Sequence, residues 1–370
     1  MRGAKVAHIS TVHPVFDVRI FHRECKTLVD AGYEVSLVAT HDRDEVIDRI
    51  QIRGLPRARR RFVRMTLTAF RALKRALNAK ARIYHLHDPE LLPLGVLLRL
   101  CGKRVIYDAH EDFQRQVLTH HWIPQWMRQP VANSVGFMIQ VASLVIDGVI
   151  AATPTIEKRF AKANTVTVQN FPDPAEFLSP SAPTYLERAA QIVYVGVLAA
   201  FRGTREMTRA MAILPESLHA RLVCAGSFSP DGLEAEMRSE AGWSRVEFVG
   251  WKNRQQIARL LSISRAGLVI LHPTPAYQQA WPVKLFEYMA AGIPVIASDF
   301  PLWRGIVAEA GCGLLVDPRD PQAVADAIRW ILEHPREAEA MGARGREAVV
   351  RRYNWNLEAQ RLIEFYSKMA

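Results

Sequence analysis

Short runs of β-forming apolar residues alternate along this chain with stretches whose apolar positions recur every three or four residues. Val6–Ser10 and Tyr33–Ala39 predict strands, and Phe21–Ala31 between them predicts a helix stopped by Gly32. Residues 62–79 predict an amphipathic helix with Phe62, Met65, Ala69, Phe70, Leu73, Ala76 and Leu77 on its apolar stripe. Strands follow at Ile83–Leu86, Arg104–Tyr107 and Gly148–Ala152. Such βα alternation predicts a parallel sheet with helices on both faces.

The pattern breaks over 171–190, where Pro172, Pro174, Pro180 and Pro183 and a shortage of apolar positions predict a linker. Alternation restarts with Ile192–Val195, Arg221–Ala225, Val246–Val249, Gly267–Leu271 and Pro294–Ala297, which predicts a second doubly wound sheet. Trp355–Met369 predicts a last helix with no strand after it. A length of 370 residues suits two such domains. In open parallel sheets ligands bind beyond the carboxyl ends of the strands, so the cleft between two facing domains is the expected site.

Charge adds a partner to this picture. The formal net charge is +11, and nearly all of it lies in residues 1–180, with 26 Lys/Arg against 17 Asp/Glu. Between Asp48 and Asp88 there are twelve Lys/Arg and no acid. That block suits an anionic partner: a membrane surface, a nucleic acid or a phosphorylated substrate. Over residues 57–82 the charge accompanies an apolar helical face without the interleaved aromatics of single-strand binders, so an anionic membrane surface is expected and nucleic acid is not. The longest apolar span, Val135–Ile146, is well short of the ~20 residues that cross a bilayer. No export signal and no CxxC pair among Cys25, Cys101, Cys224 and Cys312 are visible, so a cytoplasmic protein, peripheral on the inner membrane face, is expected.

Candidate chemistry lies after the strands. The first loop, Thr11–Phe21, lacks GxGxxG and carries His13, Asp17 and Arg19, either to contact substrate or as an Asp–Arg pair pinning the loop. Asp108, His110, Glu111 and Asp112 follow one strand, and His85, His87, Asp88 and Glu90 another. Either set could hold sugar hydroxyls or steer a proton; HExxH is absent. Gly196, Arg202 and Gly203 stand where a backbone can approach a ligand and a guanidinium can pair with phosphate. The sharpest signal is Gln279-Ala-Trp-Pro-Val-Lys284-Leu-Phe-Glu287-Tyr-Met-Ala-Ala-Gly292-Ile-Pro294. Pro282 opens a helix that Gly292 ends, which presents the amides of 280–285 as an anion site beside Lys284, with Glu287 one turn on to accept ribose hydroxyls.

The stretch 279–299 resembles the donor-site motif of the retaining GT-B glycosyltransferases of group 1 (glycosyltransferase family 4), in a version similar to bacterial polysaccharide enzymes. Gln279 replaces the first glutamate of that motif, and Glu287 is the second. Tyr194-Val-Gly196 with Arg202-Gly203 resembles the family's Gly-x-Leu…Lys-Gly loop, Val197 standing where many members carry a second phosphate-binding arginine. Asn170, Asp173 and Phe177 resemble its interdomain motif, and His110 its N-domain histidine.

The resemblance implies a GT-B architecture of two facing Rossmann-like domains: residues 1–175 for acceptor, 188–350 for nucleotide sugar, and a helix in 351–370 crossing back to the first. It implies transfer of a sugar from a nucleoside diphosphate sugar with retention, to a lipid-linked or other saccharide acceptor, without a metal or cofactor. Catalytic residues would be His110, Gln279 and Glu287. Gly196, Arg202, Gly203, Ala280, Trp281, Lys284, Leu285 and Glu287 would hold the donor, and His13, Asp17, Arg19, Asp108 and Glu111 would face the acceptor. Asp42-Arg-Asp44, which mimics a metal-binding DxD, reads as surface charge. A nucleotide-sugar 2-epimerase on the same architecture, a transferase for a soluble acceptor, and a nucleic-acid- or membrane-binding protein without activity are the alternatives.

Overall fold

A computed structural model describes residues 3–57, 60, 63–119, 123–178 and 182–369. The chain forms two compact units, residues 1–170 with 356–370, and residues 171–355.

The first unit is built on strands β1 (Lys5–Pro14), β2 (Glu34–Thr40), β3 (Glu45–Ile47), β4 (Ile50–Leu55), β5 (Ile83–Leu86), β6 (Arg104–Ala109), β7 (Gly148–Ala151) and β8 (Thr165–Thr167), in the order β3-β4-β2-β1-β5-β6-β7-β8. All pairings are parallel except β3 with β4. That hairpin carries no Gly or Asn signal. Its turn residues, Asp48 and Arg49, take positive φ of 50° and 65° without one.

Arg64–Thr68 is a wide π-type turn leading into the α-helix Ala69–Asn78, which rotates the apolar stripe away from its expected phase. Thr68, Ala69, Ala72 and Ala76 face the sheet, and their small side chains allow a close approach. Met65, Phe70 and Leu77, expected inside, are 53%, 63% and 43% exposed. Phe62, and Arg59 and Arg61 of the basic block, lie outside the described residues.

The C-terminal helix Trp355–Ser367 belongs to this unit from residue 356 onward. Its Phe365, with Met369, packs so closely on β7 that a Cβ on Gly148 would stand 2.5 Å from Phe365 and 2.3 Å from Met369. Glu358 accepts from the Gln169 amide at 2.9 Å.

The second unit holds β9 (Gln191–Leu198), β10 (Arg221–Phe228), β11 (Val246–Gly250), β12 (Ala266–Val269), β13 (Val295–Ser298) and β14 (Gly313–Val316), all parallel, in the order β11-β10-β9-β12-β13-β14. This is the doubly wound Rossmann order. The unit begins at 171, earlier than the proline pattern suggested, because Phe171, Phe177 and Tyr185 are buried in its core. Residues 179–181 of the expected linker lie outside the described residues.

Candidate active site

Strand order reverses between β9 and β12 in the second unit, the point where a doubly wound sheet opens a crevice at its carboxyl end. Gly196 lies on β9 there with φ +130°. A Cβ on it would stand 3.1 Å from Lys284 Nζ and 3.9 Å from Arg202 Nη1, so two cations converge on bare backbone. Arg202 ends a one-turn helix, and Gly203 (φ +66°) starts the helix Thr204–Ile213 with Ile270 packed too tightly against it for any side chain.

Lys284 Nζ lies 3.7 Å from the centre of the Tyr194 ring and has no hydrogen-bond partner among the described residues. Burial first, and the Arg202 charge second, hold its pKa well below the ordinary lysine value, against the pull of Glu287. An anion bound between the two cations would relieve that repulsion.

Lys284 stands in the first turn of the helix Val283–Ala290. The loop before it is anchored: Trp303, buried, donates from Nε1 to the Ala280 carbonyl at 2.8 Å, and Trp281 stacks on Phe286 at 5.9 Å. The amides of Ala280 and Leu285 donate to Tyr277 and Pro282 carbonyls at 3.1 and 3.0 Å. Neither amide is therefore free for a ligand, contrary to expectation, and the Leu285 side chain is core. Gln279 is exposed at the end of the one-turn helix Tyr277–Gln279.

Glu287 is 6% exposed, and its Oε1 accepts from Arg254 Nη1. Arg254 also donates through Nε, at 3.1 Å, and through Nη2 to Glu176, and its guanidinium lies 5.5 Å from the Phe177 ring. Burial opposes the Arg254 charge, but Glu287 and Glu176 outweigh it and raise its pKa. Sequence reading missed Arg254 and Glu176. The available signal was the capping box Asn253-Arg-Gln-Gln256, which starts the helix carrying Arg254.

In the first unit the reversal falls between β1 and β5; His13 lies at the carboxyl end of β1, and His87, Asp88 and His110 follow β5 and β6. Asp17 does not pair with the Arg19 side chain. Its Oδ1 caps the following helix, accepting from the amides of Arg19 and Ile20 at 2.9 and 3.0 Å. Its Oδ2 lies 3.5 Å from His13 Nδ1. Burial works against the Asp17 charge, but His13 and the Ile20 amide outweigh it and lower its pKa to about 2. Burial likewise opposes the His13 charge, yet Asp17 and Asp88 raise its pKa.

Arg19 is buried and grips Asp108 with a fork, Nε to Oδ2 at 2.9 Å and Nη2 to Oδ1 at 2.8 Å. Its third donor reaches the Val168 carbonyl at 2.8 Å. Asp108 is 0% exposed, so Arg19 and Asp108 stand behind His110, not on a surface an acceptor can touch. His110 donates from Nε2 to Asp108 Oδ2 at 2.7 Å, and Glu111 is exposed. Asp44 accepts from the Gly54 amide at 2.9 Å and pairs with Arg75, so the DxD-like triplet has a local structural role.

Two doubly wound parallel-sheet units, each with a reversal of strand order, define the GT-B class. Residues 183–348 match the family "Glycosyl transferases group 1", and residues 18–175 match "Glycosyltransferase Family 4". The chain belongs to this family of GT-B glycosyltransferases.

Among curated proteins, the D-inositol 3-phosphate glycosyltransferase of Corynebacterium urealyticum is 31% identical over 189 residues, covering 49% of this chain and 43% of the relative. The phosphatidyl-myo-inositol mannosyltransferase of Mycobacterium leprae is 30% identical over 169 residues, covering 45% and 44%. The chain thus matches under half the length of these relatives. Among solved structures, Anabaena HepE in complex with UDP-glucose superposes with TM-score 0.73 at 15% identity, covering 98% of this chain and 99% of that one.

Proposed function

We propose that this glycosyltransferase moves a sugar from a nucleoside diphosphate sugar, with retention and without a metal, to a lipid-linked saccharide at the inner face of a membrane. The observation that carries the donor reading is the convergence of Lys284 and Arg202 on Gly196, with no acid paired to Lys284 Nζ among the described residues. As the glycosidic bond breaks, charge builds on the leaving diphosphate, and two preorganised cations stabilise it as a metal would elsewhere. Arg254 fixes one oxygen of Glu287, which orients the carboxylate toward a ribose hydroxyl. HepE is solved in complex with UDP-glucose, which agrees with a nucleotide-sugar donor.

Support for a membrane-borne acceptor comes from two sides. One relative is named for phosphatidyl-myo-inositol. Met65, Leu67, Phe70 and Leu77 are exposed beside Arg71 and Lys74, an apolar and basic surface of the kind that seats in anionic headgroups. No described helix is long and apolar enough to cross a membrane.

A thermal-shift panel of UDP-, GDP- and ADP-sugars identifies the donor through ligand stabilisation. NMR of the product formed in EDTA then reads the anomeric configuration. An inverted product, or a product formed only with added divalent metal, contradicts the mechanism.

A further inference from the structure

Four imidazoles, a phenol and a carboxylate of the first unit form one hydrogen-bonded chain. His85 Nδ1 lies 2.7 Å from the Tyr366 hydroxyl, which lies 3.4 Å from His8 Nε2. His8 Nδ1 is 2.9 Å from His87 Nε2. His87 Nδ1 is 3.3 Å from Asp108 Oδ2, the same oxygen that His110 Nε2 meets at 2.7 Å. His8, His85, Tyr366 and Asp108 are 0% exposed and His87 2%, while the His110 side chain retains 15%. His8 and His85 are cross-strand partners on β1 and β5, so the sheet itself sets the chain's register.

The protons in this chain can be assigned by elimination. Asp108, held by the Arg19 fork, is ionised and can only accept. The nitrogen 2.7 Å from it, His110 Nε2, therefore carries hydrogen. His87 Nδ1 faces the same oxygen and, at 3.2 Å, a His110 nitrogen whose proton is already committed, so it too is an N–H. A neutral imidazole has one proton. His87 Nε2 is then a lone pair that accepts from His8 Nδ1–H, His8 Nε2 accepts from the Tyr366 hydroxyl, and the Tyr366 oxygen accepts from His85 Nδ1–H. The chain ends on His85 Nε2, a buried nitrogen with no hydrogen-bond partner among the described residues. Burial keeps the inner imidazoles neutral: it lowers His8 and His85 well below the ordinary value and His87 to about 4.

We propose that Asp108 is a positioning residue that polarises this chain and holds His110 with Nε2–H toward Asp108, which turns Nδ1 away from the carboxylate to meet a hydroxyl of the bound sugar or acceptor. The hydroxyl's identity rests on the glycosyltransfer reading; the tautomer does not. Glu24 Oε2 lies 4.0 Å from Nδ1 of both His8 and His85, so a cation held by these groups and His87, which would require other tautomers, is the competing use of the same nitrogens.

Long-range proton–nitrogen NMR of the full chain labelled with [15N]histidine tests the assignment, with single His→Gln variants to assign the signals. The expected result is N–H at Nδ1 of His8 and His87 and at Nε2 of His110. The reversed order along His87 and His8, or N–H at Nδ1 of neutral His110, overturns the proposal, as does one equivalent of bound metal by elemental analysis. In Asp108→Asn, shown folded by circular dichroism, the His110 tautomer is expected to reverse or mix and kcat to fall about 10- to 100-fold with donor KM little changed. An unmoved tautomer in that variant overturns the role of Asp108. Correct tautomers in a protein that turns over no nucleotide sugar would contradict the glycosyltransfer reading alone.

Discussion

Acid should destabilise the first unit through His87, and the size of the effect follows from its burial. Burial, the largest cause, lowers the His87 pKa from 6.5 to about 4 although Asp108 pulls it upward. A histidine with a depressed folded pKa contributes stability that is present above pH 6.5 and lost as pH falls through the folded value, because the unfolded chain takes up the proton first. Two and a half pH units correspond to about 3 kcal/mol lost between pH 6.5 and 4. His8 and His85 shift in the same direction and add to the loss. Glu24, raised chiefly by burial and then by Asp108, works the other way and gains stability as pH falls.

Comparing wild type with His87→Gln isolates the His87 share, since the other groups around it, including Asp108, Arg19, His13 and His110, are common to both. Hydrogen exchange by mass spectrometry, followed on peptides of β5 and β6 across urea concentrations, gives local stability at each pH. His87→Gln should start lower at pH 7 and lose about 3 kcal/mol less than wild type on the way to pH 4. Parallel pH curves for the two proteins would show that His87 does not carry this acid loss.

Gly196→Ala places a Cβ at positive φ and 3.1 Å from Lys284 Nζ; it should weaken binding of the nucleotide sugar chosen by thermal shift about tenfold, roughly 1.4 kcal/mol, measured by calorimetry. Arg254→Ala strips Glu287 and Glu176 of their shared partner and should cost about 2 kcal/mol of second-unit stability, read as a lower urea midpoint. Phe70→Glu replaces an exposed ring on the basic helix; it should reduce sedimentation with anionic vesicles at least tenfold.

Much of both sheets was legible because parallel strands are apolar on both faces and helices repeat at a different period. The β3–β4 hairpin escaped because Asp48 and Arg49 turn it without glycine. The 62–79 helix was legible as a helix but not in its facing: a π-type turn rotated the stripe, and alanines rather than Phe70 or Leu77 pack on the sheet. Phe171, Phe177 and Tyr185 were hidden in a proline-rich stretch that reads as a linker, though each is buried in the second unit.

In the candidate site, Gly196, Arg202, Lys284 and Glu287 were legible from their places after strands together with the family motif they resemble, and Lys284 Nζ and the Arg202 guanidinium lie close to Gly196. Arg254 and Glu287 lie 33 residues apart and Arg254 and Glu176 lie 78 apart; the capping box marks Arg254 only as a helix start, and no local pattern pairs it with either carboxylate. Arg19 and Asp108 were legible as polar positions after strands, but sequence cannot tell a buried ion pair from an exposed one, and the 89-residue gap between them hides the fork.

In the proposed transfer, Arg202 and Lys284 stabilise a departing nucleoside diphosphate while Glu287 holds its ribose. Mixing the protein with the nucleotide sugar chosen by thermal shift, an acceptor extract and EDTA, and following nucleoside diphosphate release, tests it directly. Wild type is expected to turn over, with Arg202→Ala and Glu287→Ala each reducing kcat/KM about 100-fold or more. Turnover unchanged in both variants, or no diphosphate released by the wild type from any of the panel, would contradict it.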